Sequence, residues 1–237
     1  MNQSRILRPR DWAANPPWIA PGYKSTLLRG PKQPLLAIPE TVGDLAGPRF
    51  GAEVIAGLGA DLTRNALVNG QPLGERIVVA GRVTDESGRP VPDSLIEIWQ
   101  ANAAGRYVDQ LDRHDAPLDA NFFGAGRCLT DADGRYAFLT IRPGAYPWRN
   151  HDNGWRPAHI HFSVFGPCFA TRLVTQMYFP GDPLLDLDPI FNAVPENARG
   201  RLVARFSLEL ARPEIALGFA FDLVLRGRDA TPVENRP

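Results

Sequence analysis

The chain is poor in the residues that build disulfide scaffolds and cysteine-rich metal clusters: its 237 residues include only Cys128, Cys168 and four histidines. Two cysteines rule out a disulfide framework, and each sits beside apolar or small residues, as expected of buried thiols in a reducing compartment. Neither sign of charge is in excess, with 26 Lys plus Arg against 26 Asp plus Glu. That balance gives no support for nucleic acid or an anionic membrane as partner and points to a small molecule or a protein. No apolar run is long enough to span a bilayer, and the first residues do not read as a signal peptide, so a cytoplasmic location is expected. Internal repeats are absent too.

Proline and glycine are plentiful, at 23 and 22. They punctuate strand-like segments and therefore mark turns, not disorder. Residues 1–75 are broken by Pro, Gly and short apolar pieces and read as an extended arm, with helical turns near 41–45 and 61–67. The arm's apolar residues need a surface to cover, either the chain's own core or another subunit. Tyr23, within it, reads first as an anchoring aromatic.

From Arg76 the pattern changes. Residues 76–85 and 91–100 are strand-like, and the turn chemistry at 86–90 makes them a hairpin or a sandwich corner. Further strands are predicted near 135–141, 158–165, 170–179 and 219–226. The spacing of apolar residues predicts one amphipathic helix over 195–206, opened by Pro195 and Glu196. Strands joined by turns with little helix define an all-β chain, a β-sandwich or an open barrel. Residues 76–237 form the expected core domain. Asp131-Ala132-Asp133-Gly134 superficially resembles a calcium loop, but the distal bidentate carboxylate is missing and a β-turn is expected.

Within Trp155-Arg156-Pro157-Ala158-His159-Ile160-His161-Phe162, alternation along a strand puts His159 and His161 on one face. Two imidazoles in an apolar strand are either hydrogen-bonded core residues or a metal pair. Tyr107, at a strand end, and Tyr146, held extended by Pro147, are candidate oxygen donors beside packing roles. Phenolate ligation at neutral pH asks for a highly charged cation, because free tyrosine ionises only near ~10. Zinc more often takes histidine, cysteine and carboxylate, whereas ferric iron suits tyrosines. His114 and His151 lie in polar loops and read as solvated. Taken alone, Arg156 is an ion-pairing or surface arginine and Gln176 an ordinary strand residue. Trp148 and Ile190 read as core packing.

Segments 100–107, 126–130, 143–150, 155–162 and 221–227 together resemble the intradiol ring-cleavage dioxygenases. The most specific part is Pro147-Trp148-Arg149-Asn150 followed by the His-x-His strand. The resemblance spans nearly the whole chain and implies a prealbumin-like β-sandwich. It also implies a non-haem Fe(III) held by Tyr107, Tyr146, His159 and His161 with a solvent hydroxide. Arg156, Gln176, Trp148, Ile190 and Tyr23 would surround the substrate, with Tyr146 and Arg156 catalytic. Formal charge supports this: exchanging one phenolate and the hydroxide for a catecholate dianion leaves the centre neutral. The implied reaction is cleavage of protocatechuate by dioxygen to 3-carboxy-cis,cis-muconate, a step of the β-ketoadipate route of aromatic catabolism. The implied partner is a homologous α chain without metal ligands, in a hetero-oligomer. Relatives specific for catechol or hydroxyquinol carry an N-terminal helical dimerisation domain, and residues 1–75 show no such periodicity, which favours protocatechuate. One departure is Asp109-Gln110, where relatives carry His-Lys. Two alternatives stay open: cleavage of a different catechol, or a metal-free β-sandwich binding module.

Overall fold

The computed structural model describes residues 10–17, 19–20, 22, 30–33, 36, 41–47, 50–152 and 154–234. Tyr23 lies outside them. Eleven strands are described: β1 (Arg76–Thr84), β2 (Leu95–Trp99), β3 (Ala125–Leu129), β4 (Arg135–Ile141), β5 (Tyr146–Pro147), β6 (Trp155–Arg156), β7 (His159–Phe165), β8 (Leu173–Tyr178), β9 (Arg205–Phe206), β10 (Leu217–Ala220) and β11 (Leu223–Val224). The described helices are single turns, so the all-β expectation holds.

The strands form two main sheets. One is antiparallel throughout, in the order β3-β2-β7-β8. The other is built on β1, with β4 antiparallel on one side and β10 and β11 parallel on the other, and β9 beyond β10. Because β1 and β2 fall in different sheets, the turn at 86–90 is a corner of the sandwich, closed locally by an antiparallel bridge between Thr84 and Pro90. A third, two-residue pairing joins β5 to β6.

Alternation decides what lies between the sheets. In β7, Ile160, Phe162 and Val164 enter the main core with Ile96 and Ile98 of β2, Leu173 and Met177 of β8, and Val79, Phe138 and Phe219 of the facing sheet. Phe162 is edge-on to Phe138 at 5.8 Å. Each such side chain contributes roughly 1.5–3 kcal/mol through burial. His159, His161 and Ser163 then occupy the opposite face of the same strand.

The segment before β1 also enters the core. Leu62 is fully buried, its N–H donates to the Leu139 carbonyl of β4, and the Arg127 N–H of β3 donates to Leu58. Residues 58–62 therefore bridge one edge of each sheet. The helical turn near 41–45 is a 3-10 turn, Val42–Leu45, capped by Thr41 and Asp44. Residues 61–67 are not helical, because Asp61 bridges to Leu139 and its carboxylate holds the Thr63 N–H.

The helix expected over 195–206 is corrected: only Glu196–Arg199 is α-helical, followed by a 3-10 turn at Gly200–Leu202. Beyond it the Ala204 N–H bonds the Tyr178 carbonyl, and Arg205 pairs with β10. Sheet pairing overrides the helical spacing there. The final strand expected over 219–226 is observed as β10 and β11, which keep one register on β1. Between them the Asp222 carboxylate takes the Arg82 N–H. The acidic sequence at 131–134 is a turn, with Asp131 accepting from the N–H groups of Asp133 and Arg135. Among the described residues no helix is long and apolar enough to cross a membrane.

Candidate metal centre

Cross-strand pairing lays out the floor of the site on the outer face of the antiparallel sheet. Trp99 of β2, His161 of β7 and Gln176 of β8 are directly opposite one another, and His159 is opposite Tyr178. Residues paired in this way share a face. Trp99 stacks on the His161 ring, 4.7 Å between centroids and 6° from parallel. The two imidazoles are buried, at 2% and 8% exposure, with their rings 4.9 Å apart.

Two loops bring the tyrosines above this floor. Asn102 shapes the first: its side-chain oxygen accepts the N–H groups of Ala104 and Arg106, and its carbonyl accepts from Gly144 of the second loop. Gly105 has φ 78°, and a Cβ there would collide with the Ala145 carbonyl. The loops interlock at that glycine, leaving the Tyr107 and Tyr146 rings edge-to-face at 5.4 Å. The Tyr107 N–H is fixed by Asp112 at 2.8 Å.

The Tyr146 Oη lies 3.2 Å from His159 Nε2, and the Tyr107 Oη 3.2 Å from His161 Nε2. The other ring nitrogens set the tautomers. His159 Nδ1 donates to the Pro157 carbonyl at 2.7 Å, and His161 Nδ1 to Glu234 Oε2 at 3.0 Å. Both Nε2 atoms therefore present lone pairs inward, and both phenols donate to them. This is the tautomer a metal-ligating histidine needs, completed by the outer partners such histidines ordinarily have.

Electrostatics agree with that arrangement. Desolvation, and then Arg156 and His161, hold His159 well below the usual imidazole range, so it stays neutral. Burial pushes the Tyr107 phenol well above its ordinary value, with Tyr146 adding to the effect. Burial also raises Tyr146, opposed by the nearby Arg156 charge. The phenols thus keep their protons unless a strong cation displaces them. Among the described residues no group of three or more His, Cys, Asp and Glu is placed to hold a metal. The convergent donors here are two imidazoles and two phenols.

Arg156 is 2% exposed and faces the same site. Its Nε and Nη2 donate to the two oxygens of Asp188 at 2.8 and 3.0 Å, and Nη2 also donates to Gln176 Oε1 and Tyr178 Oη. Burial alone would lower its pKa, but Tyr178, Asp188 and Tyr146 keep the guanidinium protonated. Its Cζ lies 5.7 Å from the Trp148 ring centre. Ile190 is buried two residues beyond Asp188, in the helix Pro189–Ala193 that Asp188 caps.

The structure therefore brings together Tyr107, Tyr146, His159, His161, Arg156, Gln176 and Trp148, and ties Ile190 to them through Asp188. The sequence reading did not single out Asp188, Tyr178 or Glu234. Asp188-Pro189 carries the mark of a helix start, an N-cap residue before proline, and that signal was available. Nothing in the sequence pattern marks Glu234. His114 and His151 are partly buried, not fully solvated as expected, and His114 sits edge-on to Trp155.

Comparison with known proteins is specific. A dioxygenase family model matches residues 45–227, and a model of the protocatechuate 3,4-dioxygenase β-subunit N-terminus matches residues 8–41. The protocatechuate 3,4-dioxygenase β chain of Burkholderia cepacia is 62% identical over 99% of this chain and 100% of its own length. The α chain of the Pseudomonas putida enzyme is 30% identical over 84% of this chain and 97% of its own. Among solved structures, hydroxyquinol 1,2-dioxygenase from Pseudomonas putida DLL-E4 superimposes with a TM-score of 0.52 at 27% identity, covering 82% of this chain and 68% of that one. The chain belongs to the intradiol ring-cleavage dioxygenase family.

Proposed function

We propose that this chain is the β-type, iron-bearing subunit of an enzyme that opens protocatechuate with dioxygen to 3-carboxy-cis,cis-muconate. Family membership implies non-haem iron, and we place it as Fe(III) on Tyr107, Tyr146, His159 and His161. One observation carries this reading: two phenol oxygens meet two histidine Nε2 lone pairs whose opposite nitrogens are already committed. Two buried phenols beside two imidazole nitrogens suit a highly charged cation better than zinc. Ferric iron held by these four residues would supply a Lewis acid for the catechol oxygens.

The chain's own residues do the rest. Tyr146, on the two-residue strand β5, would give up its phenol proton when iron is bound and take one back from the catechol at its Oη as substrate binds. Arg156, held protonated by Asp188 and Tyr178, is a fixed cation beside the anionic ring, a preorganised charge that needs no rearrangement during reaction. Gln176 orients that guanidinium. Trp148 and Ile190 supply apolar walls for a flat ring. Tyr23 contributes to recognition of the substrate carboxylate, and residues 1–75 act as an arm on the catalytic sandwich, 76–237. The full-length likeness to a β chain, with a further likeness to an α chain, supports assembly with an α-type partner.

The test is co-production with an α-type chain, followed by iron content, visible absorption and oxygen uptake with protocatechuate. Stoichiometric iron, colour and uptake are expected. A colourless protein without iron overturns the reading, and product analysis across substituted catechols overturns the substrate if another is cleaved faster.

A further inference from the structure

The last described residues leave the sandwich in an ordered path. The Thr231 N–H donates to the Val224 carbonyl of β11 and Thr231 Oγ1 accepts the Val224 N–H, the Pro232 carbonyl accepts from Thr175 Oγ1 of β8, and the Glu234 N–H donates to the Val174 carbonyl. Between these, the Val233 N–H donates to Asn15 Oδ1 at 2.8 Å, across 218 positions of sequence. Asn15 is itself buried, and its Nδ2 donates to the Asp11 carbonyl at 2.7 Å. The tail is thus pinned on one side by β8 and on the other by the N-terminal arm. Its end carries the Glu234 carboxylate to His161 Nδ1.

The two histidines are supported differently. His159 leans on the carbonyl of Pro157, two residues earlier in the link between β6 and β7, so its tautomer is set locally. His161 depends on a side chain delivered by the far end of the chain and on Trp99 stacked against its ring. An outer-sphere carboxylate fixes a ligating histidine's tautomer and orientation, and losing it typically costs ~10–100-fold in metal affinity or activity.

We propose that Glu234 is a positioning residue for the metal centre, holding His161 Nε2 toward the iron, and that Asn15 of the arm holds Glu234 in place. The proposal rests on the assignment of His161 as a ligand. It gives the arm and the tail a shared task, since the contact made at Asn15 is two steps from the ligand.

The experiment is a chelator challenge on the full chain, co-produced with its α-type partner, following loss of iron and of the visible band in wild type, Glu234→Ala, Glu234→Gln and Asn15→Ala. Thermal unfolding of the iron-free forms accompanies it. Glu234→Ala is expected to weaken iron retention by ~10–100-fold. Glu234→Gln, whose amide oxygen still accepts from Nδ1, should recover a large part of it while shifting the visible band. Asn15→Ala should fall between wild type and Glu234→Ala. Iron retention in Glu234→Ala equal to wild type, or Gln no better than Ala, overturns the role of Glu234. Unchanged retention in folded Asn15→Ala overturns the link to the arm. If wild type itself binds no iron, the site assignment fails instead, which keeps the two failures distinct.

Discussion

Arg156 and Asp188 are locked together by two parallel hydrogen bonds of 2.8 and 3.0 Å, with 3% and 0% of their side chains exposed. The guanidinium compensates the burial of this carboxylate, and Asp188 also caps the helix that carries Ile190. Removing the carboxylate leaves Arg156 charged without its main partner. Asp188→Ala is therefore expected to lower stability by ~3–5 kcal/mol, measured by urea unfolding, and to reduce turnover together with it. Unchanged unfolding would mean that Gln176 and Tyr178 suffice to hold the arginine.

Tyr146 and Tyr107 are both buried phenols raised by burial, and the Arg156 charge opposes that rise at Tyr146. Tyr146 sits on the two-residue strand β5, paired with Arg156 of β6, and its Oη is the proton acceptor proposed above. Stopped-flow mixing of Tyr146→Phe with protocatechuate should show substrate binding slowed by ~100-fold or more, the scale of a lost acid–base group. Binding as fast as wild type would remove Tyr146 from the proton-accepting role.

Gly105 joins a positive φ to a contact with the Ala145 carbonyl that leaves no room for a Cβ. Gly105→Ala should cost ~1–3 kcal/mol in backbone strain alone, read as a lower melting temperature. It should also loosen both tyrosine loops, so iron content should fall alongside. A variant with normal iron would show that the loops position their tyrosines independently.

Cys128 is in the core of β3, and burial pushes its thiol up to about 12. The thiolate is the reactive form, so alkylation of native protein should stay negligible and nearly flat from about pH 7 to 10. Mass spectrometry after iodoacetamide, with and without denaturant, checks this. Rapid modification of native Cys128 would mean that the edge of the sheet opens readily.

Much of the fold was legible because period-two patterning is a local property. The alternation of β7 alone separates Ile160, Phe162 and Val164 from His159 and His161, and the structure keeps that division. The turn at 131–134 was equally readable, since an aspartate that caps its own loop acts within a few residues. Spacing misled over 195–206, where backbone pairing with Tyr178 and β10 outweighs an amphipathic pattern too short to form a stable helix unaided. Likewise residues 61–67 are drawn into the sandwich edge by Leu62.

The sequence by itself determined that this chain is all-β, that two histidines share a face, and, through its motif order, which tyrosines accompany them. The first two depend on neighbours in the chain, and the third on the resemblance to a known family. Only the tertiary structure decided which distant carboxylates stand behind the site: Asp188 behind Arg156, and Glu234 behind His161, the latter brought in by a tail tied to Asn15. Such partners are chosen by sheet register and by where the termini are pinned, and no local pattern of residues encodes either.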